Sequence, residues 1–322
     1  MSTSLKAEFR PVKLGLGYFD PDAFIRSQWN LPRWVYLVWR CFWFVWHLAW
    51  IIGSGVNTRL NKARYPEEGV KWFIYLTNTT LLLTTLTCTV DLLAVMFVTC
   101  FRKGSVTVPV TKDEEARGLP LKEEIIFKGE FTVEKGLEGY TTTWYLKLVW
   151  LLYNMIGSVN ILVTIMYWAV EYNGSTDVVG VEVHSINTVF ILTNHMMTAM
   201  PCQILHFIYP MLYLALYALF TYIYYACDGT DIKGRPVIYS VVDWGKAYPT
   251  AITVVVGILV FVPLVHLVLF AIYTFRIFLH SKINSETYST GTHNQENSRN
   301  DETRREMHEV PSGVEMRPIA VS

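Results

Sequence analysis

Long apolar runs alternate with polar segments over the first 280 residues of the chain. In a helix, about 20 mostly apolar residues are enough to cross the hydrocarbon core of a bilayer. The pattern therefore predicts an all-α fold, a polytopic membrane helix bundle with about six transmembrane helices. The predicted spans cover approximately residues 34–52, 71–100, 144–170, 185–209, 211–227 and 250–278.

Polar segments flank this membrane domain, which we place at residues 33–280. The first 32 residues are charged, contain several prolines and lack the apolar run of a cleavable signal peptide. Residues 281–322 are rich in Asn, Ser, Thr, Glu and Arg, a composition that cannot bury a core. We therefore predict a cytosolic lead-in at residues 1–32 and a disordered tail at residues 281–322.

The second span carries a polar stripe. Some of its side chains recur every three or four residues and so share one face of a helix, namely Thr77, Thr80, Thr84, Thr87 and Asp91. An ionisable group at this depth is costly in lipid, so this face is expected to meet protein or trapped water. A polar stripe on a spanning helix therefore needs a second polar surface.

The fourth span carries a matching stripe. Its polar side chains recur at helical spacing along one face, namely His184, Asn187, His195, Thr198, Cys202 and His206. Pro201 is expected to kink this helix, and Tyr209-Pro210 to form a corner into the fifth span. Both spans are predicted to start from the same side of the membrane, which places Thr77 and His184 at similar depths.

The two stripes support three hypotheses. Polar side chains hold membrane helices together, at about 0.6–2 kcal/mol per interaction. They also line cavities, for which the candidates are Thr80, Thr84, Asp91, His195, Thr198 and His206. A threonine hydroxyl becomes a nucleophile when a base activates it, and histidine is such a base at neutral pH. Spacing alone leaves packing, a binding or transport cavity, and catalysis open.

Composition agrees with a membrane protein and excludes other classes. Hydrophobic residues make up 52% and aromatic residues 15% of the chain. The 27 basic and 27 acidic residues balance, which argues against a nucleic-acid partner. The five cysteines lie in or beside apolar runs, unlike those of a secreted disulfide framework. We predict membrane lipids as partners, and no metal or cofactor.

Basic residues indicate the topology. They concentrate before the first span and between the second and third spans, whereas residues 171–182 include acidic side chains and no Lys or Arg. Because basic loops favour the cytosolic side, we predict cytosolic termini and an outside position for residues 171–182. Asn173, which begins an Asn-Gly-Ser sequon there, is then a glycosylation candidate.

Several runs occur in the order and spacing of a known family: SQWNLP, KWFIYLTN, HSINTVF, LHFIYPMLY and IKGRPVIYSVVDW. Over residues 22–275 the chain resembles the insect rolling stone protein and its animal relatives. The resemblance implies a multi-pass plasma-membrane protein that acts in cell–cell fusion, specifically myoblast fusion, or in muscle development. It implies membrane or cell-surface protein partners without identifying them.

A more distant resemblance is to the androgen-induced and androgen-dependent six-span membrane hydrolases, which cleave fatty-acid esters with an intramembrane Thr and His. Their Thr motif is similar to KWFIYLT and implies Thr77 as the nucleophile. Their His motif is similar to HSINT, whose first residue is His184, but the family's catalytic His falls on Asn187. Asparagine cannot serve as a general base, so His184 or His195 would have to replace it. Tyr239 matches a tyrosine of that family.

The predicted functions are therefore a cell-fusion protein of rolling stone type, an intramembrane threonine hydrolase of fatty-acid esters, and a lipid or ion pathway. The hydrolase would use Thr77 with His184 as base and Asn187 beside them. The pathway would be lined by Thr84, Asp91, His195 and His206, on the two polar stripes.

Overall fold

The computed structural model describes residues 8–18, 20–60, 71–101, 142–172 and 174–284. The chain divides into two compact units, Met1–Thr274 and Phe275–Ser322, and the described part of the second unit is helical. Residues 281–284, the first four of the predicted disordered tail at 281–322, are helical; the rest of the tail and the glycosylation candidate Asn173 lie outside the described residues.

Helices make up the regular structure of the described residues, which confirms the predicted all-α class. The α-helices are α1 (Arg33–Leu60), α2 (Leu76–Phe101), α3 (Trp144–Met166), α4 (Val178–Val181), α5 (Asn187–Met197), α6 (Ile208–Ala226), α7 (Ala247–Val256) and α8 (262–284). The π-helical turns are π1 (Tyr167–Glu171) after α3, π2 (Glu182–Ile186) between α4 and α5, and π3 (Gly257–Phe261) between α7 and α8.

Among the described residues, five helical stretches are long and apolar enough to span a membrane. These are Arg33–Val56, Leu76–Cys100, Trp144–Glu171, Ile204–Ala226 and Trp244–Asn284. A further helical stretch, residues 178–197, is about 30 Å long at 1.5 Å per residue, which is the thickness of a hydrocarbon core. The chain is thus a polytopic membrane helix bundle.

The fourth and fifth predicted spans differ from the observed helices. Helix α5 ends at Met197, residues 198–203 are not helical, and a 3₁₀ turn at Ile204 leads into α6. Proline has no N–H and disfavours helical backbone before it, so Pro201 falls in a break rather than a kink. Pro210 lies in the first turn of α6, where N–H groups need no intrahelical partner, so the chain stays helical through the predicted corner.

Other parts of the chain satisfy the backbone of this break. The Ala199 N–H donates to the Arg26 carbonyl at 3.0 Å. The Trp150 indole N–H donates to the Pro201 carbonyl at 2.9 Å. Non-helical backbone is tolerated at membrane depth where protein covers it, so these contacts explain why the helix can be interrupted here.

The described part of the lead-in, residues 8–18 and 20–32, packs onto the bundle beside the break. Ser27 forms an isolated β-bridge with Thr198. Phe24 is fully buried, with its ring centroid 5.3 Å from that of Trp150. We call this the N-terminal end of the bundle. The opposite end holds residues 227–243, the capping loop, and we call it the loop end.

A buried apolar cluster fixes the helices between these two ends. It takes side chains from α1, α2, α3, α5 and α8, namely Trp43, Cys88, Ile156, Phe190, Ile191 and Leu269. Burial of apolar side chains against one another is what sets the relative positions of the helices. The cluster therefore holds α2 and α5, which carry the two polar stripes, in one bundle.

Candidate functional site

A cavity of about 740 Å³ lies at the loop end, between α3, α6, α7 and the capping loop. Its volume falls within the range of about 300–1,000 Å³ that is usual for small-molecule sites. Most of its wall is apolar, including Leu162, Met166, Leu214, Ile238 and Ile258. We call it the loop-end cavity.

All the π-helical turns of the described residues contribute to the wall of this cavity. Turn π1 contributes Tyr167, Val170 and Glu171, π2 contributes His184, and π3 contributes Gly257, Ile258 and Phe261. A π-turn inserts an extra residue into a helix and is found often at functional sites. The convergence of these turns on one cavity singles it out as the candidate site.

The capping loop has a rigid turn at its centre. The Asp231 carboxylate is buried and accepts hydrogen bonds from the Lys233 N–H at 2.9 Å and the Arg235 N–H at 2.8 Å. It also pairs with the Arg235 guanidinium, with Nη2 at 2.7 Å. Gly234 has a φ of +75°, which favours glycine. This turn directs the rest of the loop over the cavity.

Several contacts fasten the capping loop to the helices and to the residues preceding α2. They include Lys71 Nζ to Thr230 Oγ1 at 2.7 Å, Ile232 N–H to Tyr75 Oη at 3.3 Å, Tyr239 Oη to Thr77 Oγ1 at 3.3 Å, and Ser240 Oγ to Glu171 Oε1 at 2.8 Å. They are spread along the loop from Thr230 to Ser240. The loop therefore closes the cavity at the end of the bundle.

The cavity brings together Thr77, His184 and Tyr239, the residues that the hydrolase resemblance singled out. The Thr77 and Tyr239 hydroxyls form a hydrogen bond with each other. Burial raises the pKa of Tyr239, which keeps its hydroxyl protonated. The His184 ring stacks on Tyr167 with centroids 3.5 Å apart. The site thus offers a hydroxyl pair and an imidazole on a wall that is largely apolar.

Asn187 lies one helical turn deeper than His184 and does not line the cavity. Its side chain is buried, and its amide N–H donates to the Val183 carbonyl at 3.4 Å. Its Oδ1 accepts no hydrogen bond from the part of the chain that the structure describes. The amide therefore sits below the polar end of the cavity rather than within it.

The deeper residues of the two stripes also lie away from the cavity wall. The Thr84 hydroxyl accepts a hydrogen bond from Asn160 at 3.0 Å and donates to the Thr80 carbonyl at 2.8 Å. Asp91 pairs with Arg40, with Oδ2 and Nη1 2.5 Å apart. These contacts join α2 to α3 and to α1, as expected of side chains that hold helices together.

The far members of the second stripe make similar contacts. The Thr198 hydroxyl is 3.0 Å from that of Tyr36, the His195 ring stacks on Tyr153 at 4.6 Å, and His206 Nε2 is 3.4 Å from the Gly15 carbonyl. A lipid or ion pathway lined by Thr84, Asp91, His195 and His206 stays a prediction, as does a cavity that also includes Thr80 and Thr198.

Several wall residues were not singled out from the sequence. Glu171, Asp231 and Lys233 bring charge to the loop end of the cavity, and Tyr75 and Tyr217 add aromatic surface. The sequence signal for the loop is the run Asp-Ile-Lys-Gly-Arg, because aspartate at the first position and glycine at the fourth are typical of a β-turn. The π-turns gave no recognisable signal.

Three of the runs that carry the family resemblance border the loop-end cavity. KWFIYLTN contributes Thr77, HSINTVF contributes His184, and IKGRPVIYSVVDW contributes Tyr239 and most of the capping loop. The other two runs, SQWNLP and LHFIYPMLY, lie at the N-terminal end beside the helix break. The resemblance is therefore concentrated at the cavity and at the break.

Comparisons with known proteins agree with this placement. A sequence model of the family described as protein rolling stone matches residues 128–292, just over half of the chain. Protein rolling stone of Drosophila melanogaster is 28% identical over 286 residues, which cover 85% of this chain and 90% of the relative. No solved structure matches the chain. The chain belongs to the rolling stone family.

Proposed function

We propose that this protein binds a membrane lipid by its acyl chain in the loop-end cavity. The observation that carries the proposal is the cavity itself, about 740 Å³ in volume and walled largely by apolar side chains of membrane helices. Apolar ligands gain about 0.8 kcal/mol for each methylene that they bury. An acyl chain is the apolar ligand that a membrane supplies in abundance.

The polar end of the cavity suits a small lipid headgroup. Thr77 and Tyr239 present hydroxyls that can donate or accept, and His184 presents a ring nitrogen. Lys233 lies on the same wall and brings a positive charge to it. Acyl chain and headgroup would therefore be recognised by different parts of one site.

We propose that this lipid binding serves the role that the family resemblance implies, in cell–cell fusion or muscle development. The topology favoured by the basic residues puts the termini in the cytosol and the loop end outside the cell. The protein would then reside in the plasma membrane, with its capping loop exposed to an apposed cell and its unidentified protein partners. Lipid capture next to that surface fits a protein of membrane fusion.

Photocrosslinking tests the proposed lipid binding. The probe is palmitic acid that carries a diazirine and an alkyne, added to the full-length protein in phosphatidylcholine vesicles. Ala218→Trp places a large ring in the cavity wall of α6. We expect it to lower competable labelling about tenfold, the equivalent of 1.4 kcal/mol.

Ala215→Trp is the matched control, since Ala215 lies on the same helix but outside the cavity wall and is exposed. It is expected to label like the native protein. Labelling that unlabelled palmitate does not compete away, or that Ala218→Trp leaves unchanged, would contradict the proposal.

A second candidate function is hydrolysis of a lipid ester, because Thr77 and His184 line the same cavity. Labelling by a fluorophosphonate tests it, with Thr77→Ala, His184→Ala and Asn187→His variants. Labelling that both alanine variants abolish would establish hydrolysis with His184 as the base. Labelling gained only in Asn187→His would indicate an enzyme scaffold that lacks its base. If neither the native protein nor any variant is labelled, lipid binding without hydrolysis remains the proposed function.

A further inference from the structure

We infer that the lipid enters the loop-end cavity sideways from the surrounding leaflet, between π1 and the α7–π3 helix, while the capping loop stays closed. This inference rests on the proposed lipid binding and names where the ligand comes from. It commits to a membrane-embedded acyl lipid rather than a ligand that arrives from water.

The cavity has one buried wall and one exposed wall. Side chains of the buried wall are at most 9% exposed, namely Leu162, Val163, Leu214 and Ile238. Side chains of the opposite wall are between 39% and 48% exposed, namely Val170, Ile252, Val256 and Phe261. We call this second set the side opening.

The side opening is apolar and belongs to membrane-spanning helices. Val170 lies in the stretch Trp144–Glu171, and Val256 and Phe261 lie in Trp244–Asn284. Exposed apolar side chains on such helices face lipid tails, where their exposure carries no hydrophobic cost. An acyl chain of the adjacent leaflet can therefore pass between them without leaving an apolar environment.

The end of the bundle offers no comparable passage through the described residues, because the capping loop covers it. Hydrogen bonds between Thr77 and Tyr239 and between Glu171 and Ser240 hold the loop in place, and Asp231 holds its central turn. A lipid that entered from water would have to break several of these hydrogen bonds. It would also have to expose its chain to water on the way.

Gly257 widens the passage. A Cβ placed on this glycine would meet no atom within 4 Å, so the space beside it is open. It lies in π3 directly after Val256, on the cavity wall. The side opening and the cavity are thus continuous along this turn.

A pair of adjacent valines tests the side opening. Val256→Trp puts an indole into the opening, whereas Val255→Trp puts one on the same helix at an exposed position outside the cavity wall. The measurement is the rate of capture of the diazirine palmitate probe from preloaded vesicles. We expect Val256→Trp to slow capture about tenfold, and Val255→Trp to leave the rate unchanged.

Locking the capping loop in place tests the alternative route, in which the lipid enters through the end of the bundle. Glu171→Cys and Ser240→Cys, whose native side chains are in contact, are joined by a short bis-thiosulfonate linker. The background carries serine at the partly exposed and exposed cysteines, Cys41, Cys100 and Cys227. We expect the locked protein to take up probe from vesicles at the unlocked rate.

The outcomes separate this inference from the function on which it rests. Capture that is abolished by the loop lock and unaffected by Val256→Trp overturns the side opening but keeps lipid binding. The same holds if probe presented from albumin in water is captured faster than probe preloaded into vesicles. Native protein that captures no probe by either route overturns the proposed function, and the side opening with it.

Discussion

At the N-terminal end the side chains of the polar stripes contact other parts of the protein, whereas at the loop end some of them line an apolar cavity. His266, for example, has Nε2 2.9 Å from the Gln203 carbonyl and Nδ1 3.2 Å from the Ser158 hydroxyl. At the loop end, Thr77 and His184 are on the cavity wall. The same residue types thus hold helices together in one half and remain available to a ligand in the other.

The irregular parts of the helices also differ between the two ends of the bundle. The π-turns of the described residues border the loop-end cavity, where they open space between helices. The N-terminal end instead has a break at residues 198–203 that is filled by residues of the lead-in. An irregular helix therefore creates room at one end and receives a second segment of the chain at the other.

The largest effect is expected from the ion pair near the N-terminal end. Asp91→Leu leaves the buried Arg40 guanidinium without its carboxylate, at a cost of about 3–5 kcal/mol in unfolding free energy. Unfolding in detergent measures it. The double variant Arg40→Met with Asp91→Leu should recover most of the loss, because no buried charge remains unpaired.

An exposed ion pair at the loop end provides a comparison with the buried pair of Arg40 and Asp91. Lys246→Met breaks the pair with Asp243, but Lys246 is 75% exposed, so the change should cost no more than about 1 kcal/mol. Equal losses in Asp91→Leu and Lys246→Met would refute the difference between the two halves. A double variant no more stable than Asp91→Leu would refute the ion pair as its cause.

Phe24→Ala tests whether the lead-in is part of the fold. Phe24 is fully buried against Trp150, so its truncation should cost about 3–4 kcal/mol in unfolding free energy. Phe42→Ala is the matched control, because Phe42 is 51% exposed on α1. A lead-in that stood apart from the bundle would lose nothing on this substitution.

Two helical glycines compare the packing of the bundle core with that of the loop-end cavity. A Cβ on Gly157 would lie 3.1 Å from Leu269 Cδ1 and 3.4 Å from His195 Cε1, whereas one on Gly257 would meet nothing within 4 Å. Gly157→Val should therefore cost about 1–3 kcal/mol through overpacking. Gly257→Val should leave the unfolding free energy nearly unchanged but reduce probe labelling. The reverse order of stability would show that the cavity is packed.

The sequence predicted the parts of the structure that depend on helical periodicity. The apolar runs predicted the membrane helices, and spacing and depth placed Thr77 and His184 at the same end. The pattern predicts that the stripe of the second span, which includes Asp91, meets the fourth span, but Asp91 itself pairs with Arg40 of α1. A charge pair between distant helices follows from their packing, which spacing along the chain does not reveal.

The helix break and the π-turns could not be predicted from the sequence for a related reason. Pro201 predicts an irregularity in the helix. Whether it becomes a kink or a break depends on the lead-in residues and on Trp150, which form hydrogen bonds with the backbone groups that the irregularity leaves free. A π-turn needs no particular residue type, because its extra residue is accommodated by neighbouring helices. Tertiary contacts thus decide between a kink, a break and a bulge.

The smallest expected effect concerns the closed state of the capping loop. Tyr75 lies just before α2, its hydroxyl accepts from the Ile232 N–H, and burial raises its pKa to about 12. The unfolded chain gives up this proton near the ordinary pKa of 10, so between pH 10 and about 12 the folded state binds more protons than the unfolded state. Stability must then fall as the pH rises through that window.

Tyr75→Phe should flatten this fall, measured as the midpoint of thermal unfolding in detergent between pH 9 and about 12. Tyr248→Phe, at a ring that is 79% exposed, should keep the native slope. The expected difference is a few degrees at most, since Tyr75 remains partly open to solvent. Identical slopes in all three proteins would mean that the capping loop does not cover Tyr75 in solution. The cavity would then be open at the end of the bundle as well as at its side.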